Sequence, residues 1–139
     1  MEISKGFQIE DPCVWIPRGA SESLLVELLG PHGLREVTGG YYTISAKSLS
    51  GLCCEIGFHF SPRRQGVLQE LEFFRRSYPD QGKSFANFQE HLERTFGTPT
   101  GTEQGEEGFP SYGWAIGGAH VSHYVFDRFG PEEHVRIRW

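Results

Sequence analysis

Two stretches of the chain carry apolar residues at helical spacing. In 84–100, SFANFQEHLERTFGTPT, the residues Phe85, Phe88, Leu92 and Phe96 recur at intervals of three and four. That spacing predicts an amphipathic helix over about 85–96. Ser84 is its expected cap, and Gly97 and Pro99 its expected stop. In 21–31, SESLLVELLGP, Leu24, Leu25, Leu28 and Leu29 make a second stripe. Here Ser21 is the expected N-cap and Glu22 favours the positive end of the dipole. Gly30 is expected to take the left-handed stop conformation, with Pro31 blocking continuation.

Elsewhere the period is two. In 52–60, Leu52, Cys54, Ile56, Phe58 and Phe60 alternate with Cys53, Glu55, Gly57 and His59. At the end of the chain Val135, Ile137 and Trp139 alternate with His134, Arg136 and Arg138, and in 67–73 Val67, Leu71 and Phe73 alternate with Leu68, Glu70 and Glu72. These are strands with one dry and one wet face, as in an antiparallel sheet covered on one side. In 119–128 both faces carry apolar groups; Val121 and Val125 are expected inside, leaving His120, Tyr124, Phe126 and Arg128 outside. Strands are also expected at 41–46, 112–116 and, at the start, 6–9, with turns at 61–66 (SPRRQG) and 130–133 (GPEE). The polar, glycine-rich segment 98–110 reads as a loop.

Each helix is thus followed by three strand candidates. Gly30 and Gly97 are 67 residues apart, and so are Gly51 and Gly118. The expected fold is α+β: two tandem helix-plus-β-meander halves, about 6–74 and 82–139, in one domain, with both helices on one face of an antiparallel sheet.

Composition narrows the function classes. At 37% hydrophobic and 22% charged residues, a chain of 139 residues can build a packed core. A net charge of −5 argues against nucleic acid or an anionic membrane as partner. The opening MEISKGFQIEDP has no apolar signal-like run, and the expected location is cytoplasmic. Three cysteines, two of them adjacent, read as reduced thiols rather than a disulfide framework.

The segment IPRGASESLLVELLGP resembles the first unit of the beta-lactamase-inhibitor-protein-like fold, in which a Gly-Ser/Thr lead-in, an amphipathic helix and a Gly-type stop precede an antiparallel sheet. Ile16, Gly19, Ser21, Leu28, Gly30 and Pro31 match that outline, and Gly82, Ser84, Leu92, Gly97 and Pro99 match it again in the second half. The resemblance implies one curved sheet whose open face grips a protein partner. A small acidic chain of this kind is also similar, in general terms, to the immunity proteins that neutralise bacterial toxins.

Chemistry-bearing motifs are sparse. His120 and His123 stand three apart on a strand and point to opposite faces, so they do not chelate together. Glu55 and His59 share a face but lie roughly 13 Å apart along the strand. Cys13, beside Glu10 and Asp11, lacks the positive surroundings that activate a thiol. No phosphate-loop glycine pattern is present, and the arginine pairs at 63–64 and 75–76 read as solvated charges. No metal, cofactor or catalytic residue is therefore expected. The open sheet face is the richer surface, with Tyr41, Glu55, His59, Glu70 and Glu72 from the first half. The second half contributes Tyr124, Phe126, Arg128, His134, Arg136 and Arg138. Tyrosine and arginine dominate interface hot spots, and paired charge patches steer association. The expected function is a non-enzymatic protein-binding module, an inhibitor or immunity protein that occludes a toxin or enzyme. The alternatives are a small-ligand binder or enzyme using His59, His120 or His134 on that face, and a homodimer pairing through the sheet edge or Trp139.

Overall fold

The computed structural model describes residues 1–61, 66–77 and 80–139. Two short strands, β1 (Gly6–Ile9) and β2 (Val14–Pro17), form an antiparallel ribbon. After α1 (Glu22–Leu29) come β3 (Arg35–Thr38), β4 (Tyr41–Ser48), β5 (Leu52–Ser61) and β6 (Val67–Phe74). After α2 (Gln81–Phe96) come β7 (Gly101–Glu103), β8 (Ser111–Ile116), β9 (Ala119–Asp127) and β10 (Pro131–Arg138). The last eight strands make one antiparallel sheet in the order β3-β4-β5-β6-β10-β9-β8-β7. The class is α+β, mostly antiparallel sheet with two α-helices among the described residues.

Register explains the burial. One cross-strand row runs Tyr42, Phe58, Leu71, Ile137, Val121, Trp114, and the next runs Ile44, Ile56, Phe73, Val135, His123, Tyr112. All but Tyr112 are buried, and Leu25 and Leu29 of α1 and Phe88 and Leu92 of α2 join the same cluster. Each such fully buried Leu, Ile or Phe is worth about 1.5–3 kcal/mol over an exposed one. Val121 and Val125 are buried as expected, while Phe126 is exposed. Leu68 corrects the reading of 67–73. A bulge sets His59 opposite Glu70 but Phe60 opposite Leu68, so an extra residue of β6 shifts the alternation and turns Leu68 inward.

The helix ends differ from expectation. α2 begins a turn earlier than Phe85, because Asp80 rather than Ser84 is the cap, its Oδ1 accepting from Lys83 N at 3.0 Å. Ser84 is buried inside the helix. At α1, Ser21 Oγ does accept from Leu24 N at 3.1 Å. Gly30, however, is right-handed (φ −51°) and starts a 3-10 turn, Gly30–His32. Pro31 sits in the first turn of that piece, where its missing N–H is no loss, and the left-handed stop moves to Gly33, φ +89°. Gly97 does take positive φ, +81°. The two helices therefore stop by different means.

Three strands escaped the sequence reading. β3 is exposed along its whole length and β7, inside the expected loop 98–110, is an exposed edge, so neither carries an apolar period. β2 does alternate, with Ile16 buried and Trp15 exposed, but Pro12 just before it and Pro17 at its end mask the signal. The turn expected at 61–66, with Arg63 and Arg64, falls at 62–65 outside the described residues.

Candidate functional site: the outer sheet face

The opposite side of the same strands carries the polar rows. One runs Tyr41, His59, Glu70, Arg138, His120, Ala115, and the other Thr43, Gly57, Glu72, Arg136, Ser122, Gly113. Because β6 pairs with β10, the acidic strand of the first half lies directly beside the basic strand of the second. Arg136 Nη1 donates to Glu70 at 3.1 Å and its Nη2 lies 3.0 Å from Glu72, while Arg138 Nε donates to Glu70 at 2.8 Å. The acidic and basic halves expected from the sequence thus neutralise one another in a central seam. Burial works against the charge of Arg136, but Glu70 and Glu72 outweigh it and hold the guanidinium above its ordinary pKa.

Aromatic stacks bracket the seam. Tyr41 stacks on His59 with ring centroids 4.5 Å apart, and its hydroxyl donates to Glu72 at 3.2 Å. Burial, then the neighbouring Glu72, pushes the Tyr41 hydroxyl up to about 12. His59 Nε2 lies 3.9 Å from Glu72, ion-pair range rather than hydrogen-bond range. His59, Arg136 and the Tyr41 hydroxyl hold the Glu72 carboxyl below its ordinary range against the effect of burial. On the other side Tyr124 stacks on His134 at 4.9 Å, and Arg136 Nη2 donates to His134 Nδ1 at 3.2 Å.

Gly57 is what lets Tyr41 lie flat: a Cβ there would meet the Tyr41 ring at 3.0 Å. Gly57→Ala is expected to lift the ring, break the bond to Glu72 and cost about 1 kcal/mol. Urea titration and the near-ultraviolet signal of Tyr41 check this.

The other expected contact residues divide. Phe126 and Arg128 stand at the β9–β10 end of the face beside Phe129, which is 87% exposed and lies under the Arg128 guanidinium at 5.4 Å. Glu55 is withdrawn from the surface. It is 7% exposed, accepts from Ser45, and is covered by Arg76, whose Nε donates to it at 2.7 Å. Trp139 is engaged within the chain, donating to the Ile3 carbonyl at 2.7 Å.

His120 and His123 do point to opposite faces: His120 is exposed and His123 fully buried. Sequence reasoning missed what surrounds His123. Its Nε2 is 2.6 Å from Glu133 and its Nδ1 2.8 Å from Gln89 Oε1; Ser84 Oγ donates to Glu133 at 2.6 Å, and Phe85 stacks on the ring at 4.0 Å. Burial, opposed by Glu133, pushes His123 below its ordinary value, which favours a neutral ring. A neutral ring with Nε2–H donating to Glu133 needs a donor at Nδ1. Turning the Gln89 amide supplies one, and gives its otherwise partnerless Nε2 a bond. A sequence signal existed: Glu133 has the same parity as Val135 and Ile137, an acid at an inward position.

A cleft of about 760 Å³ opens where β6 ends, lined by Asp11, Lys47, Cys53, Glu55, Arg75 and Arg76 among others. Cys53 is exposed and Cys54 buried, on opposite faces; burial pushes the Cys54 thiol up to about 12. Among the described residues no three His, Cys, Asp or Glu side chains converge as metal ligands, and no helix is long and apolar enough to cross a membrane. Comparison with known protein families, curated proteins and solved structures found no match to the chain.

Proposed function

We propose that the chain is a non-enzymatic protein-binding module of inhibitor or immunity type, which occludes a partner toxin or enzyme with its outer sheet face. The observation that carries this is a seam of tyrosine, histidine and arginine side chains joined by hydrogen bonds, with exposed Phe126 on the same face and exposed Phe129 beside Arg128. Preorganised side chains lose little entropy on docking, and exposed aromatic residues are enriched in the buried part of interfaces. The internal neutralisation of Glu70, Glu72, Arg136 and Arg138 favours fit over long-range steering. A cytoplasmic location goes with this reading, since all three cysteines are free thiols.

We also infer a duplicated unit with both helices over the inner face. The like order of helix and four-strand meander supports it, as do the left-handed hairpin glycines Gly51 and Gly118, φ +91° and +84°. The unlike conformations of Gly30 and Gly97 do not contribute.

The test is capture from the source cell's lysate with tagged wild type and with Phe126→Ala/Phe129→Ala. Both side chains are exposed, so the variant is expected to fold with stability within about 0.5 kcal/mol of wild type. One stoichiometric partner, lost in the variant, is the expected result. A partner held equally by both proteins would remove the binding site from this face.

A second reading rests on the cleft. Lys47 lines it with no carboxylate partner among the described residues, which suits a small anionic ligand, while the Arg75 guanidinium at its edge is turned to Ser84 and Asn87. The histidines first expected to serve such a reading, His59, His120 and His134, do not line this cleft. A thermal-shift screen of small carboxylates and phosphates decides for or against it.

A further inference from the structure

Where β7, β8 and β9 lie side by side, the outer face holds a slot of about 310 Å³ lined by Gly101, Glu103, Ser111, Gly113, Ser122 and Tyr124. Its floor is the cross-strand row Gly101, Gly113, Ser122, in which two members have no side chain and the third only a hydroxymethyl. Tyr124 forms a wall and is held in place by stacking on His134, with the ring planes 15° apart. Among the described residues, Glu103 is the single charged residue lining the slot, and it has no ion pair. The neighbouring cations of the face, Arg136 and Arg138, are taken up by Glu70 and Glu72.

The fold does not demand glycine at the floor. Gly113 lies in a strand without positive φ, and an added Cβ would find only the Val121 carbonyl, at an ordinary 3.9 Å. What the missing side chain provides is room beside an aromatic face and a free carboxylate. A flat cation fits both. Guanidinium stacks on aromatic rings and bonds carboxylates through two parallel N–H groups, which a lysine ammonium cannot do. An anionic ligand would meet Glu103 with no cation in the slot to offset it.

We propose that this slot receives an arginine side chain of the protein partner, its guanidinium stacked on Tyr124 and donating to Glu103, its stem over Gly113. The partner's being a protein rests on the function proposed above; the slot's preference for a guanidinium does not. The test is a titration of the isotope-labelled full chain with N-acetyl-arginine-methylamide, followed by amide chemical shifts. Saturable shifts are expected at Gly113, Ser122 and Tyr124. The citrulline counterpart, same in shape but uncharged, is expected to bind more weakly by about tenfold or more, for loss of a charge-assisted bond. Glu103→Gln and Gly113→Val are each expected to remove the shifts while the thermal midpoint stays near that of wild type. Absence of slot shifts with the wild type, equal binding of citrulline, or undiminished binding by Gly113→Val would overturn the assignment. Partner capture from lysate is read separately. If the wild type captures no partner while its slot titration succeeds, the protein-partner reading alone falls; if it captures a partner but shows no slot shifts, the slot alone falls.

Discussion

Glu133→Ala is expected to cost the protein about 3 kcal/mol, the loss typical of a buried charged acceptor removed from its donors. The Glu133 side chain is 3% exposed and that of His123 is 0% exposed. One carboxylate oxygen faces His123 Nε2; the other accepts from Ser84 Oγ at 2.6 Å and from Gln81 Nε2 at 3.3 Å. Alanine leaves the imidazole N–H and the serine hydroxyl buried without an acceptor and opens a void beneath the first turns of α2. Arg75 would also lose support, since it donates to Ser84 at 3.0 Å and to Asn87 while lying over the Phe88 ring at 4.6 Å. Urea midpoints at neutral pH measure the loss; a change below about 1 kcal/mol would show that this network is not a structural clasp.

The same group sets a pH dependence. Burial depresses the pKa of His123 in the folded state, and burial followed by the charge of Arg136 depresses that of His134. The unfolded chain takes up these protons near the ordinary histidine value of about 6.5, and the folded chain only at lower pH. Stability is therefore full above that value and falls as the pH drops below it toward the folded-state values. In His123→Gln, which cannot titrate, the decline between about pH 7 and 5 is expected to flatten. A slope identical to wild type would show that His123 does not hold a depressed value.

The legible parts of this molecule are those where one-sided burial imposed a period. The alternation from Leu52 to Phe60 and from His134 to Trp139 placed dry and wet faces correctly, because each strand packs one side only. Helix stripes were legible for the same reason; helix ends were not, since Asp80 and Ser84 are both competent caps and only tertiary contact with Glu133 draws Ser84 into the helix. Edge strands β3 and β7 bury nothing and left no pattern. For the candidate site, face membership was readable but pairing was not. Glu70, Glu72, Arg136 and Arg138 were recognisable as outward residues. That they neutralise one another depends on β6 lying next to β10, a contact across more than sixty residues of chain. Glu55 likewise had the right parity for the surface, and only the return of Arg76 over it buries it.

That pairing also fixes how the seam responds to mutation. Arg136→Ala is expected to cost about 2 kcal/mol, whereas Arg138→Ala is expected to change stability by under about 0.5 kcal/mol. The difference lies in burial and partner number. The Arg136 side chain is 18% exposed and bridges Glu70 and Glu72, themselves 13% and 21% exposed; the Arg138 side chain is 62% exposed and touches Glu70 alone. Removing Arg136 leaves Glu72 without an arginine and Glu70 with Arg138 alone, two largely buried carboxylates on neighbouring rows of one strand, and frees His134 from its neighbour. Some of the penalty is avoided if Glu72 protonates, so the deficit is expected to shrink at acid pH, where wild type gains nothing comparable. The double charge reversal Arg136→Glu/Arg138→Glu sets four carboxylates side by side and is expected to unfold much of the sheet, so any loss of binding it shows would report folding rather than recognition. Urea titration of the two alanine variants at neutral and acid pH separates these terms: equal losses in both variants would mean that the seam contributes no more than surface ion pairs do.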